Sequence, residues 1–155
     1  MLIMTDSDKE SHQLAAACAE ELWGRDNASQ GLGTQLLEVT PGRAAFTMAV
    51  RDDMLNGHKI CHGGFIFALA DTTFAFACNS RNENNIGQGC SIDYVGPAKL
   101  GDKLKATAVE KSRAKRTGLF DVTVKNQNQN QNEDEDVVAF MRGRSYRVRG
   151  SVIPE

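Results

Sequence analysis

Two rhythms of apolar and polar residues run along the chain, with one nearly unbroken apolar stretch between them. The first rhythm is helical. Ser7-Asp8-Lys9-Glu10 has the form of a capping box, the Ala-rich run Leu14 to Trp23 follows, and Gly24 offers a stop. A helix is predicted over about residues 8–24. Gln35 to Thr40 and Ala44 to Val50 then read as a hairpin turned at Pro41-Gly42. Asp52 to Ile60, with Asn56-Gly57 inside it, reads as a loop.

The apolar stretch is Phe65-Ile-Phe-Ala-Leu-Ala-Asp71-Thr-Thr-Phe-Ala-Phe-Ala-Cys78. Led in by Gly63-Gly64, it is predicted to be a helix to Asn79. Being apolar on nearly every side, it is expected to be buried rather than surface-lying. The Asn-rich residues 82–87 read as its exit loop.

The second rhythm has period two. Gln88 to Val95 places Cys90, Ile92 and Tyr94 on one face, and Lys103 to Glu110 does the same for Leu104, Ala106 and Ala108. Phe120, Val122 and Val124 share a face of Gly118 to Val124, and Val137 to Val148 is the last and longest strand. Residues 126–136, all Asn, Gln, Glu and Asp, are too polar to bury anything and read as an extended hairpin tip. One apolar helix needs a sheet to wrap it, so the predicted class is α+β, one curved antiparallel sheet around a central helix.

Composition narrows the options. At 155 residues the chain suggests one domain with enough buried surface for a real core. Asp71 interrupts the best candidate membrane span, and the acidic N-terminus lacks the basic region of a secretory signal. Four cysteines stand at Cys18, Cys61, Cys78 and Cys90 without metal-type spacing, which reads as reduced thiols in a cytoplasmic protein. Cys61 beside His62 reads as packing before it reads as a nucleophile. The net charge is −2, but twelve of the eighteen Lys and Arg lie between Lys99 and Arg149. That half suits a phosphate-bearing ligand. No basic stripe carries interleaved aromatics, which argues against nucleic acid.

Candidate chemistry centres on Asp71, the only acidic or basic residue between Lys59 and Arg81 apart from His62. A carboxylate in that run is costly unless it is used or paired. It would carry no chemistry if a hidden Lys or Arg neutralised it or if its helix position were exposed; Thr72 and Thr73 could hydrogen-bond it in either case. Used, it suits a nucleophile or a base that activates water. The free N–H groups of the first helical turn, at Gly63, suit an oxyanion. The two are eight residues apart, roughly 12 Å of helical rise, too far to act on one carbon. Two antiparallel helices in a two-fold dimer would bring Gly63 of one chain to Asp71 of the other. His62 is a candidate to cap the helix, orient the loop or polarise a carbonyl. Asn56 is a candidate to hold a water or a thioester.

The segment Met54-Leu-Asn-Gly-His-Lys-Ile-Cys-His62-Gly-Gly-Phe-Ile-Phe-Ala-Leu-Ala-Asp71-Thr-Thr resembles the signature of hotdog-fold thioesterases, most of all the PaaI type of phenylacetate degradation. Asp93-Tyr-Val-Gly-Pro97, Gly101-Asp102 and Arg142-Gly-Arg-Ser-Tyr146 match the same layout. The resemblance covers about residues 14–150. It implies hydrolysis of acyl-coenzyme A thioesters, with no metal and no cofactor beyond the coenzyme A of the substrate. It also implies a homodimer with shared sites, usually doubled into a tetramer. Carried over, Asp71 is nucleophile or general base and Gly63 supplies the oxyanion N–H. Asn56 and His62 place the carbonyl and the water, with Thr72 a weaker counterpart. Gly64, Lys115, Arg116 and, behind them, Arg144 are the substrate-binding candidates. A MaoC-like hydratase and a non-catalytic acyl-CoA-binding protein are the alternatives on the same fold.

Overall fold

The computed structural model describes residues 4–127 and 136–154. In chain order the elements are α1 (Asp6–Arg25), α2 (Asn27–Gly31), β1 (Gln35–Thr40), β2 (Arg43–Ala49), a 3-10 turn (Asp52–Met54), α3 (Gly63–Cys78), β3 (Asn85–Tyr94), β4 (Lys103–Arg113), β5 (Thr117–Asn126) and β6 (Val137–Arg147). The strands form one sheet in the order β1-β2-β4-β5-β6-β3, antiparallel at every pairing. Register shifts between Leu36 and Glu38, Gly87 and Gly89, and Glu110 and Ser112 insert bulges that curl it. α3 packs in the curl, against β2, β4 and β5 above all.

The capping box of α1 sits one step earlier than expected. Thr5 accepts from the Asp8 N–H, and the Asp8 carboxylate accepts from the Thr5 N–H. T-x-x-D satisfies the same two donors as S-x-x-E, and it comes first along the chain. The helix also runs on to Arg25, one residue past Gly24. The hairpin turns where predicted, with Gly42 at φ 75° supplying the left-handed residue. Asn85, expected in a loop, begins β3. Its composition misleads because its side chain donates to the Cys78 carbonyl, while Asn79 and Asn85 exchange two further bonds. These bonds close the C-terminal end of α3.

The predicted inward faces of β4 and β5 are buried: Leu104, Ala106 and Ala108, and Phe120, Val122 and Val124. They meet Ile66, Leu69, Ala70, Thr73, Phe74, Phe76 and Ala77 of α3. α1 adds Trp23, whose ring lies 6.0 Å from Phe46 and 6.4 Å from Phe76. Of the set predicted to share a face of β3, Ile92 packs against the core, but Cys90 and Tyr94 are exposed, because β3 is an edge strand.

α3 itself is not buried all round. The sheet covers one side. Gly64, Phe67, Ala68, Asp71 and Ala75, at helical spacing, form a stripe that is exposed or half-buried in the single chain. Residues 128–135, most of the polar tip, lie outside the described residues.

Candidate active site

α3 opens on two glycines, and each is where it is because something occupies the place of its side chain. A Cβ on Gly64 would stand 3.1 Å from His62 Nδ1, and one on Gly63 would stand 3.0 Å from the Tyr94 ring. His62 is the N-cap, its Nδ1 accepting the Gly64 N–H at 2.9 Å. An accepting Nδ1 places the ring proton on Nε2, so the capped form is the neutral imidazole. Gly64 was a substrate-binding candidate, but its N–H is spent on the cap. The Gly63 N–H meets no acceptor among the described residues. It is the free donor that a developing oxyanion needs, at the positive end of the helix dipole.

The loop before α3 is pinned to that start. The His62 N–H donates to the Met54 carbonyl and the Cys61 N–H to the Ala98 carbonyl. Within the loop, Asn56 Oδ1 accepts from the N–H groups of His58 (2.9 Å) and Ile60 (3.4 Å). Those donors fix the amide's orientation, so its NH2 is the end left over, and no described residue accepts from it. Asn56 is thus ready to donate to a ligand.

Asp71 stands two turns further along α3, exposed on one side in the single chain. Burial of its other side still pushes its pKa above the usual 3.8. Its charge in turn adds to burial in raising the Cys78 and Cys90 thiols. No Lys or Arg pairs with it among the described residues, so the hidden-cation reading fails. The threonines do not hold it either. Thr73 Oγ1 donates to the Leu69 carbonyl one turn back, the common fate of a threonine inside a helix. Thr72 Oγ1 lies 2.9 Å from Ser29 Oγ of α2, and Ser29 Oγ in turn donates to Asp26 Oδ2 at 2.6 Å. Asp26 as a carboxylate only accepts, so Ser29 gives its proton there and Thr72 donates to Ser29. The open side of Thr72 therefore presents lone pairs only.

Cys61 is buried, and burial pushes its thiol to a pKa of about 11. It stays protonated at neutral pH and is no nucleophile. Among the described residues no three His, Cys, Asp or Glu side chains gather as a metal site. Among the described residues no helix is long and apolar enough to cross a membrane.

The basic candidates separate. Lys115 and Arg116, in the β4–β5 turn, line a cleft of about 440 Å³ with Tyr146, Arg147, Val148 and Arg149. Arg116 donates to the Tyr146 hydroxyl at 3.3 Å. Arg147 pairs with Glu83, just beyond α3. Lys115 and Arg149 have no acidic partner among the described residues. Arg144 is not in the cleft. It sits two positions before Tyr146 on β6, its guanidinium 2.9 Å from where a Gly89 Cβ would be. Arg144 and Tyr146 share a face of β6, so position along the strand explains the split: Arg144 lies within β6 opposite Gly89, and the cleft is at the strand's end.

Sequence reasoning passed over Tyr94, Ser29, Arg147 and Arg149 as site residues. The two arginines stood in the basic half already counted. Tyr94 stood in the Asp93-Tyr-Val-Gly-Pro97 motif. Ser29 carried no signal, because its role rests on a contact 43 residues away.

A curled antiparallel sheet around one helix, with a free N–H at the helix start and an unpaired carboxylate at its middle, is the layout of a hotdog-fold protein that works on thioesters. Comparison with known proteins agrees. The thioesterase superfamily is matched over residues 58–133. Acyl-coenzyme A thioesterase PaaI of Escherichia coli K12 is 39% identical over 137 residues, 88% of this chain and 94% of that protein. The structure of E. coli PaaI, from the phenylacetic acid degradation operon, superposes with a TM-score of 0.84 at 38% identity, covering 90% of this chain and 97% of that one. A Streptococcus mutans protein solved with acetyl-CoA bound gives 0.68 at 26% identity over 76% and 90%. The chain belongs to the thioesterase superfamily and is a thioester hydrolase.

Proposed function

We propose that the protein hydrolyses acyl-CoA thioesters, with phenylacetyl-CoA or a ring-hydroxylated phenylacetyl-CoA as the substrate, in the cytoplasm. The observation that carries the reading is a free Gly63 N–H and an unpaired Asp71 on one helix, roughly 12 Å apart along its axis. Neither serves its own chain's other half. A two-fold dimer in which the open stripes of two α3 helices meet antiparallel places Gly63 of each chain at Asp71 of the other. The half-apolar stripe around Asp71 and the unpaired edge of β3 are the surfaces such a dimer would cover. Two such dimers make the expected tetramer.

In that site Asp71 removes a proton from water, or attacks directly, and an oxygen adds to the thioester carbon. The carbonyl oxygen becomes negative against the Gly63 N–H. Collapse breaks the C–S bond and expels coenzyme A as a thiolate, which then takes a proton. After a direct attack the other product is an acyl–Asp71 anhydride, which water hydrolyses to the free acid and the Asp71 carboxylate. Asn56 donates through its NH2, Thr72 accepts from the water, and His62 keeps the first turn in shape. The Glu83–Arg147 pair places the basic cleft at the C-terminal end of α3. In an antiparallel dimer that end faces the partner's helix start, so Lys115, Arg116, Arg147 and Arg149 are placed to meet the coenzyme A phosphates. The aromatic acyl group is supported by the likeness to E. coli PaaI. A hydratase would want an Asp/His pair, and among the described residues no Asp bonds to His62, whose Nδ1 is engaged by the cap.

The test is complementation. Asp71→Ala and Gly63→Pro chains, each inactive alone, are mixed, refolded and assayed for thiol release from phenylacetyl-CoA. Proline is tolerated at the first helical position and removes the N–H. Each heterodimer then has one intact site, about a quarter of wild-type activity in a random equal mixture. No recovery in mixtures shown to contain heterodimer refutes the shared site.

A further inference from the structure

A helix that begins Gly-Gly has a poor start. Each glycine costs about 1 kcal/mol relative to alanine, and the first turn has few bonds of its own to resist fraying. Yet the Gly63 N–H must point steadily at one oxygen if it is to stabilise charge there, since a displaced donor loses most of its value. Something outside the helix has to hold it.

The structure shows what does. Tyr94, the last residue of β3, donates its hydroxyl to the Gly63 carbonyl at 3.0 Å. Its ring lies on Gly63 so closely that a Cβ there would be 3.0 Å from Cζ, 3.2 Å from Oη and 3.3 Å from Cε1. On the far side of the same peptide group, the Gly64 N–H donates to His62 Nδ1. The Gly63–Gly64 peptide is therefore held at its oxygen by Tyr94 and at its nitrogen by His62, and both missing side chains mark the contact points. Of the donors in the first turn, Gly64 and Phe65 are satisfied within the cap, leaving Gly63 free. Burial raises the Tyr94 pKa above 10, so the phenol remains a neutral donor at physiological pH.

We propose that Tyr94 is a positioning residue for hydrolysis: with His62 it clamps the Gly63–Gly64 peptide and so aims the Gly63 N–H at the thioester oxygen. The inference rests on the reading of Gly63 as the oxyanion donor. It also assigns a reason for glycine at 63, which is room for the Tyr94 ring rather than backbone conformation, since Gly63 has no positive φ.

Tyr94→Phe keeps the ring and removes the bond. The expected result is a kcat lower by about 10-fold, less than the roughly 100-fold or more of losing an oxyanion donor. KM should stay within about twofold, and amide exchange at Gly64, whose N–H is bonded to His62, should speed up while the rest of α3 is unchanged. A purely structural tyrosine would move stability without splitting kcat from KM. A double-mutant cycle adds a second readout. Gly63→Ala, which pushes the ring away, should leave little further effect for Tyr94→Phe, whereas independent roles would multiply. Unchanged kcat in Tyr94→Phe, or multiplicative losses in the cycle, overturns the proposal. Asp71→Asn, run in parallel, separates the two readings. If it is inactive while Tyr94→Phe matches wild type, only the clamp falls. If it hydrolyses at the wild-type rate, the site reading beneath the clamp falls with it.

Discussion

Gly143 backs directly onto a ring of α3, and adding one methyl group there should disturb both stability and rate. Gly143 lies in β6, opposite Phe120 of β5 and Cys90 of β3. A Cβ built on it would stand 3.0 Å from three atoms of the Phe74 ring, Cδ2, Cε2 and Cζ, so it meets the ring's face. Carbon atoms pack best at about 3.5–4.0 Å, so the ring would have to retreat by roughly 0.5–1 Å. It has nowhere to go. Phe74 is 1% exposed, the Phe120 ring stands edge-on at 5.4 Å, and a Cβ on Gly87 would lie 3.4 Å from the same ring's Cε1. The strain must pass into α3. Overpacking of this kind costs about 1–3 kcal/mol. For a chain of this size each kcal/mol moves Tm by roughly 2–4 °C, so Gly143→Ala should melt about 2–12 °C lower. Phe74 is one turn beyond Asp71, so the carboxylate should shift too and kcat should fall. Thermal melts and thiol-release assays on Gly143→Ala, Phe74→Leu and the double variant decide it. The smaller side chain should recover part of the loss in the double variant. A Gly143→Ala protein that melts with the wild type, or a double variant showing simple additivity, would refute the idea that the ring is boxed in.

Asp71 sits above the ordinary aspartate pKa because of burial. The folded state therefore holds that proton more tightly than the unfolded one, and stability falls as pH rises through the folded value. Asp71→Asn should abolish hydrolysis yet raise Tm at neutral pH, with the gain shrinking in acid; a lower Tm would contradict this. In the wild type, kcat/KM should rise with pH along an acid limb above 3.8, and a limb at or below that value counts against Asp71 as the group that must ionise. Ser29→Ala strips Thr72 of its acceptor, costing about 1 kcal/mol in denaturant unfolding. It should also slow turnover, and an unchanged unfolding midpoint would disprove the link. Lys115→Ala with Arg149→Ala should raise KM for a coenzyme A thioester, less so at high salt. The same pair should spare a pantetheine thioester, which lacks the nucleotide, and equal losses on both would remove the cleft from substrate binding.

The central segment shows why some of this was legible beforehand. Asp71 is conspicuous by composition alone, because a charge in a long apolar run is costly anywhere in a protein. His62-Gly63-Gly64 announces a helix start, because capping and glycine chemistry are local. Leu104, Ala106 and Ala108 announce an inward face, because strand geometry alternates every second residue. Where local chemistry allowed two answers, the first in chain order won, as with Thr5 over Ser7.

Other features come from residues that meet only when the chain is folded. Nothing near Thr72 in sequence predicts Ser29, and nothing near Gly63 predicts the Tyr94 ring. The lysine and arginines of the cleft come from a turn and a strand end about thirty residues apart. The periodicities and the charge in the apolar run are short-range properties, so the sequence by itself determined the class of fold, the central helix and the carboxylate on it. The exposed stripe on α3, the commitment of Gly64 to the cap and the freedom of the Gly63 N–H depend on which surfaces are covered and which donors find acceptors. Only the tertiary structure decides those, because covering a surface or satisfying a donor takes partners that chain order does not place side by side.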